Sequence, residues 1–284
     1  MIAGTTVITL NKGRDAHLAR LLEGLARGPH PEACIVVEMG SAPEPLPDLG
    51  LPVRRIVLDA PGLPLARARN AGRRAAGTER LIFLDVDCIP SADLVPRLSE
   101  DLIQADGLIC CEIRYLPAGA VGDGWTEAAL AAAGHAHPVR HFPERGLSRT
   151  DNPGLFWSLA FGVRAETFDR LCGFDEGFDG YGAEDTDLAF RADALGVPVL
   201  FTAGGRAFHQ HHLACDPPLQ HFADIVRNAT RFRARHGLWP MEGWLDAFAA
   251  RGLIGSDWRN DLTVLRQPGA DEIAETRVPA DRPF

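Results

Sequence analysis

The run Arg80-Leu81-Ile82-Phe83-Leu84-Asp85-Val86-Asp87 passes from consecutive apolar residues into two carboxylates one residue apart. On an extended backbone Asp85 and Asp87 point to the same side. Like charges that close need a cation or hydrogen-bond donors between them. A hard divalent ion holding a diphosphate meets that need; a solvated strand-to-loop turn is the plainer reading. A second acidic group sits in Gly180-Tyr181-Gly182-Ala183-Glu184-Asp185-Thr186-Asp187, where a glycine-rich loop runs into a helix. Acids in a first turn gain ~0.3–1 kcal/mol from the helix dipole, so all three could serve as helix-start residues. Glu184 and Asp187 share a helical face while Asp185 points about 100° away. The three therefore have different jobs, one free to face a substrate while another holds the loop. The third group, Phe208-His209-Gln210-His211-His212, carries three histidines in four residues without the helical H-x-x-x-H spacing. It reads as surface or as metal ligation.

The elements that must position these groups follow from periodicity. Strand-like runs recur at 5–10, 33–37, 53–58, 81–84, 107–115, 159–164 and 198–202. Helical patterns lie between the early ones. Residues 15–27 place Leu18, Leu21, Leu22 and Leu25 on one face, and 64–76 open on Pro64 and turn Ala68, Ala71 and Ala75 inward. Alternating strands and helices predict an α/β fold with a mainly parallel sheet flanked by helices. Ligands bind such a sheet beyond the carboxyl ends of its strands, here after Leu10, Val37 and Leu84. Residues 41–52 read as a loop and 117–155 as a long irregular stretch. A helix over 216–236 begins with Asp216 and Pro217 and stops at Gly237, a second covers 240–251, and the tail from about 266 is expected to be poorly ordered.

A chain of 284 residues that is 46% hydrophobic can bury a full core. Its net charge of −9 argues against a nucleic-acid binder. Arg67, Arg69, Arg73, Arg74 and Arg80 nevertheless form a basic island, either a solvated helix face or a phosphate site. The six cysteines show no zinc spacing and are too sparse for a disulfide scaffold. No apolar run reaches the ~20 residues of a membrane span, and the opening strand leaves no room for a signal peptide. The expected location is the cytoplasm, with access to a membrane surface where a lipid-linked acceptor sits.

The acidic strand resembles the D-x-D strand of GT-A nucleotide-sugar glycosyltransferases; with Ile89-Pro90 following, it is similar to the β-1,4-galactosyltransferase version. That resemblance implies Asp87 as a metal ligand and Asp85 near the donor ribose. Gly180-Tyr181-Gly182-Ala183-Glu184-Asp185 resembles the galactosyltransferase motif G-W-G-x-E-D, with Tyr181 in place of tryptophan. It is preceded by the G-F-D-E of glycosyltransferase family 2. The match implies Asp185 as catalytic base, Glu184 as acceptor-hydroxyl ligand and Tyr181 stacked on a sugar. In these families a histidine after the E-D helix completes the metal shell. His209 fits best, His211 is the reserve and His212 is expected on the acceptor side. Thr9, Asn11 and Arg14, at the first strand's exit, resemble the nucleotide-binding opening, although its usual proline is missing. Val36-Val37-Glu38-Met39-Gly40-Ser41 resembles V-D-D-G-S, which implies Glu38 against a uracil ring. Leu65-Ala66-Arg67-Ala68-Arg69-Asn70-Ala71-Gly72 resembles the A-R-N-x-G helix, which implies Arg69 and Asn70 beside the nucleotide. Trp157 reads as an acceptor platform or a core residue.

The expectation is a GT-A domain over 1–215, with a donor half at about 1–115 and an acceptor half at about 150–215. A helical extension covers 216–265 and a tail 266–284. The implied activity is metal-dependent, inverting sugar transfer from a UDP-sugar to a carbohydrate, lipid-linked or small-molecule acceptor hydroxyl, with Mn²⁺ or Mg²⁺. The rival readings are a nucleotidyltransferase, for which Asn11-Lys12-Gly13-Arg14 is a poor phosphate loop, and a degenerate sugar- or nucleotide-binding protein.

Overall fold

An apolar strand without period-two alternation needs cover on both faces, and the first third of the chain provides it. The computed structural model describes residues 1–40 and 45–279. Residues 41–44 of the expected loop and 280–284 of the expected tail lie outside the described residues. The elements run β1 (Ile2–Asn11), α1 (Asp15–Ala26), β2 (Pro31–Met39), β3 (Val53–Leu58), α2 (Leu65–Ala75), β4 (Arg80–Asp85), β5 (Cys88–Pro90), α3 (Leu94–Gln104) and β6 (Leu108–Tyr115). There follow α4 (Glu127–Ala133), β7 (His135–Ala136), β8 (Leu147–Thr150), β9 (Ala160–Arg164), α5 (Ala165–Arg170), α6 (Glu184–Ala194), β10 (Val199–His209), α7 (Phe222–His236), α8 (Glu242–Ala250) and α9 (Ala270–Glu275).

The strands form one sheet in the order β3-β2-β1-β4-β9-β6-β10-β5, with β7 beside β6 and β8 beside β10. β3, β2, β1 and β4 pair in parallel, as do β6 and β10, whereas β9 runs antiparallel between β4 and β6. Alternate residues face opposite cores. Val7, Val36, Ile82 and Leu84 pack with the α1 leucines 18, 21, 22 and 25, each of which contributes ~1.5–3 kcal/mol when fully buried. Ile8, Val37 and Phe83 pack on the other face with Ala66 and Ala68 of α2. Gly72 sets that contact, since a Cβ there would lie 2.4 Å from Ile8 Cγ2.

Several expectations are corrected. Helix α3 was not foreseen because Pro96 sits within it; a first turn tolerates proline, having no intrahelical bond to lose there. The helix expected over 216–236 starts only at Phe222. The tandem Pro217-Pro218 keeps residue 217 out of the helical region, so a single 3₁₀ turn intervenes. The stretch 117–155 contains α4, β7 and β8. The tail is tied down as far as Val278, whose N–H donates to Ala214 O at 2.9 Å, while Arg266 pairs with Glu272 at 2.7 Å. The arginine island is spent inside the protein: Arg73 on Asp169, Arg67 and Arg74 on Glu176, Arg80 on Thr5 and Ser99. Among the described residues no helix is long and apolar enough to cross a membrane.

Helices α7 and α8 have their own apolar cluster around Phe222, Ile225, Leu245, Phe248 and Trp258. Charge joins this extension to the sheet. Asp187, with no exposed surface, accepts from Arg191 Nε at 2.7 Å and Arg235 Nη1 at 2.7 Å and lies 2.9 Å from His236 Nε2. Asp187 is thus the acid that holds structure. Removing one partner of a buried pair costs about 3–5 kcal/mol. Asp187→Asn should therefore lower the thermal midpoint by roughly 6–20 °C, whereas Asp185→Asn should leave it close to wild type. Scanning calorimetry of both variants checks this.

Candidate active site

β4 delivers Asp85 at its last position, and the chain then turns at Val86-Asp87 rather than staying extended. The two carboxylates consequently take different partners. Asp85 Oδ1 accepts from Arg69 Nη2 at 3.1 Å. Burial pushes the Asp85 carboxyl up to about 6, against the pull of Arg69. Asp87 is buried too, which works to raise it, but His209, His212 and Arg14 hold it well below the usual carboxylate range.

The short strand β5 pairs antiparallel with the end of β10 and sets Cys88 opposite His209. That register places His209 Nε2 3.5 Å from Asp87 Oδ1. Beyond His209 the chain leaves the sheet. Gln210 N–H donates to Asp87 O at 2.7 Å, and the turn returns His212 Nε2 to 3.3 Å from Asp87 Oδ2. Asp87, His209 and His212 each offer one ligand atom, all within 4.8 Å of one another. Burial holds His209 below its ordinary pKa, which keeps its imidazole neutral and able to ligate. One carboxylate and two imidazoles make a mixed donor set that could hold a first-row divalent ion. Here the sequence reading is corrected. His212 stands in this cluster rather than on the acceptor side, and the reserve His211 stands outside it. Strand alternation favours residues 209 and 211, but it ends where the turn begins.

Helix α6 starts after a loop of left-handed residues: Gly180 (φ +79°), Gly182 (φ +96°) and Ala183 (φ +70°). Asn228 of α7 pins this loop by donating to the carbonyls of Asp179, Tyr181 and Gly182 at 2.9–3.2 Å. Glu184 is buried against Arg69 Nη1 at 2.9 Å. Burial, and then the Asp185 charge, push the Glu184 carboxyl up to about 7. Asp185 is held by the N–H groups of Thr186 at 2.7 Å and Ser158 at 3.4 Å and lines a cleft of ≈ 920 Å³. Arg69 thus joins the acid at the end of β4 to the acid that opens α6, and Asp85, Arg69, Glu184 and Asp185 all line that cleft. A carboxylate opening on such a cleft beside a divalent-ion cluster can take a proton from a bound hydroxyl.

The remaining residues fall into two groups. Asn11 donates to Glu38 at 2.8 Å and Asp15 at 2.9 Å and accepts from Arg14 N–H at 3.1 Å, so it shapes the entry to α1. Glu38 is also paired with Arg55. Asn70 donates to Phe174 O at 2.8 Å and accepts from Phe174 N–H at 3.0 Å, fixing α2 to the G-F-D-E loop. These three are engaged by the protein itself. Arg14 Nη1 contacts Asp87 Oδ2 at 2.5 Å. Thr9 is buried with its hydroxyl unpartnered. Trp157 lines the cleft, edge-on to His137 at 4.7 Å and beneath Arg140 at 5.0 Å. Tyr181 also lines it, but one face of its ring is covered by His221 at 4.4 Å. The sequence reading missed Trp239, Met241 and Trp244, which line the cleft from the far end of the chain. Their only sequence signal was an aromatic-rich link between two helices.

Comparison with known proteins bears on the family and the fold. Residues 6–171 match the profile of Glycosyl transferase family 2, and residues 152–213 that of the N-terminal domain of galactosyltransferase. A validoxylamine A glucosyltransferase of Streptomyces hygroscopicus subsp. limoneus is 28% identical over 88% of this chain and 60% of its own length. A putative polypeptide N-acetylgalactosaminyltransferase 9 of Drosophila melanogaster is 23% identical over 65% of this chain and 29% of its own. The chain thus spans less than two thirds of these relatives. Among solved structures, S. aureus TarS 1-349 superposes with a TM-score of 0.54 at 13% identity, covering 87% of this chain and 72% of that one. GalNAc-T7 with UDP, GalNAc and Mn²⁺ gives 0.53 at 17% identity, covering 87% and 57%. These likenesses show the GT-A glycosyltransferase fold.

The cluster geometry predicts a pattern for Mn²⁺ titrated in the presence of UDP. Asp87→Ala and His212→Ala should each weaken Mn²⁺ binding by more than roughly tenfold, the loss that even an outer-shell partner causes. His211→Ala should leave it unchanged. Electron paramagnetic resonance of free Mn²⁺ reads all three.

Proposed function

The chain belongs to glycosyl transferase family 2, and on that premise we propose that it moves a hexosyl group from a UDP-sugar to an acceptor hydroxyl with inversion. The observation that carries this reading is the meeting of Asp85, Arg69, Glu184 and Asp185 on one cleft, with the Asp87, His209 and His212 cluster at the end of the same strand. The UDP and Mn²⁺ named for the GalNAc-T7 structure, and the UDP named for a TarS complex, support the choice of nucleotide and ion. Residues 1–215 serve as the transferase domain, with the donor in the half before about 115 and the acceptor against 150–215. Residues 216–265 form the helical extension.

Asp87, His209 and His212 would hold the divalent ion, which supplies Lewis-acid stabilisation of the leaving diphosphate. Arg14 is close enough to Asp87 to share the phosphate charge. Arg69 fixes Asp85 toward the donor and Glu184 beside the acceptor. Asp185 accepts the proton of the attacking hydroxyl. A carboxylate is a weak base toward an alcohol, so the proton moves late, once bond formation has made the hydroxyl acidic. A single base on the side from which the acceptor attacks gives inversion at the anomeric carbon.

Asp185→Asn is the test. UDP release from UDP-sugars in the presence of acceptor should fall by roughly 10²–10⁴-fold, while UDP affinity stays within about twofold. Undiminished transfer by the variant would place the base elsewhere.

A further inference from the structure

Part of the wall of the Asp185 cleft comes from residues beyond both family matches, which end at 213. Trp239 and Met241 from the link between α7 and α8, with Glu242 and Trp244 from the first turn of α8, line the same space as Asp85 and Asp185. This wall is firmly built. Trp239 donates its Nε1–H to Arg259 O at 2.9 Å and meets the buried Trp258 edge-on at 5.7 Å. Met241 is held at φ +53°, and its Sδ lies 3.0 Å from where a Cβ on Gly182 would stand, so the wall touches the glycine loop. Trp244 lies 6.1 Å from Tyr181 with the ring planes 33° apart.

Charge divides the site into two ends. Around Asp87 stand the Arg14 guanidinium and the His209 and His212 imidazoles, a cation and a donor set for a divalent ion, which together suit a diphosphate. The charged side chains lining the cleft are instead Asp85, Glu184, Asp185 and Glu242, with Arg69. Both arms of Arg69 are committed to Asp85 and Glu184. Among the described lining residues no arginine or lysine remains to meet an acceptor's phosphate or carboxylate, and such a group would face like charge. Aromatic rings beside carboxylates suit the C–H face and hydroxyl donors of an uncharged polyol.

We propose that the α7–α8 link and the first turn of α8, with Trp244 as the stacking face, form the acceptor subsite, and that it selects a hydroxylated ring carrying no negative charge. The proposal rests on the transferase reading above and adds the acceptor class and the residues that choose it.

The test measures UDP-sugar hydrolysis to water and transfer to methyl glucoside against glucose 6-phosphate and glucuronic acid, which share its pyranose ring, with myo-inositol as a second neutral ring. Wild type should favour the neutral rings by tenfold or more in kcat/KM. Trp244→Ala should lower the ratio of transfer to hydrolysis by tenfold or more through a raised acceptor KM, and Trp244→Phe should restore most of it. UDP affinity and the thermal midpoint report on folding in both variants. An unchanged ratio in Trp244→Ala, a preference for the anionic rings, or transfer to neither neutral ring would overturn the proposal. Absence of both UDP binding and hydrolysis in wild type would instead bring down the transferase reading, and the subsite with it.

Discussion

A guanidinium that is 3% exposed, held between two carboxylates from distant parts of the chain, is the constraint on which the site depends. Arg69 comes from α2, Asp85 from the end of β4 and Glu184 from the start of α6. Desolvating such a cation costs several kcal/mol, and a buried pair repays that only when its geometry is fixed. The surroundings fix it. Gly72, one turn further along α2, lets the helix lie directly on Ile8 of β1. Asn70 locks the backbone of Phe174, whose ring lies 5.0 Å from the Arg69 guanidinium. With Glu184 held inward, helical geometry turns its neighbour Asp185 toward the cleft. Asp187, one turn further along, anchors the same helix through Arg235 and His236. One turn of helix thereby meets α2, the cleft and the C-terminal extension at once.

The cluster of Asp87, His209 and His212, which could hold an ion, depends on a different device. Asp87 follows a strand and His209 ends one, and the three-residue strand β5 fixes their separation. The Gln210 N–H to Asp87 carbonyl bond then folds the chain so that His212 joins them. Backbone pairing, set by the sheet, brings ligands from 122 residues apart in sequence into one cluster without a dedicated loop.

Much of this was legible in the sequence because the signals were local. The parallel half of the sheet, helices α1 and α2, and the different surroundings of Glu184, Asp185 and Asp187 follow from spacing and periodicity. The D-x-D and G-Y-G-x-E-D stretches resembled known motifs closely enough to indicate the family. What escaped depended on tertiary structure. His212 was misplaced because the strand ends at His209. The first helix of the extension was begun too early because a tandem proline delays it. Asn11, Glu38 and Asn70 read as ligand contacts, and the partners that fix them, Asp15, Arg55 and Phe174, could not be read from the sequence. The wall from Trp239 to Trp244 was invisible because nothing local ties that link to a cleft built by residues more than fifty positions earlier.

The central proposal is that Asp87 and its two histidines make the donor site's hold on a nucleoside diphosphate depend on a divalent ion, with uridine as the proposed base. Calorimetric titration of UDP and GDP into the purified protein, with Mn²⁺ and then with EDTA, tests it most directly. The account predicts tight binding of UDP only when Mn²⁺ is present, and weaker binding of GDP. Binding of neither nucleotide, or binding of UDP that is indifferent to EDTA, would contradict it.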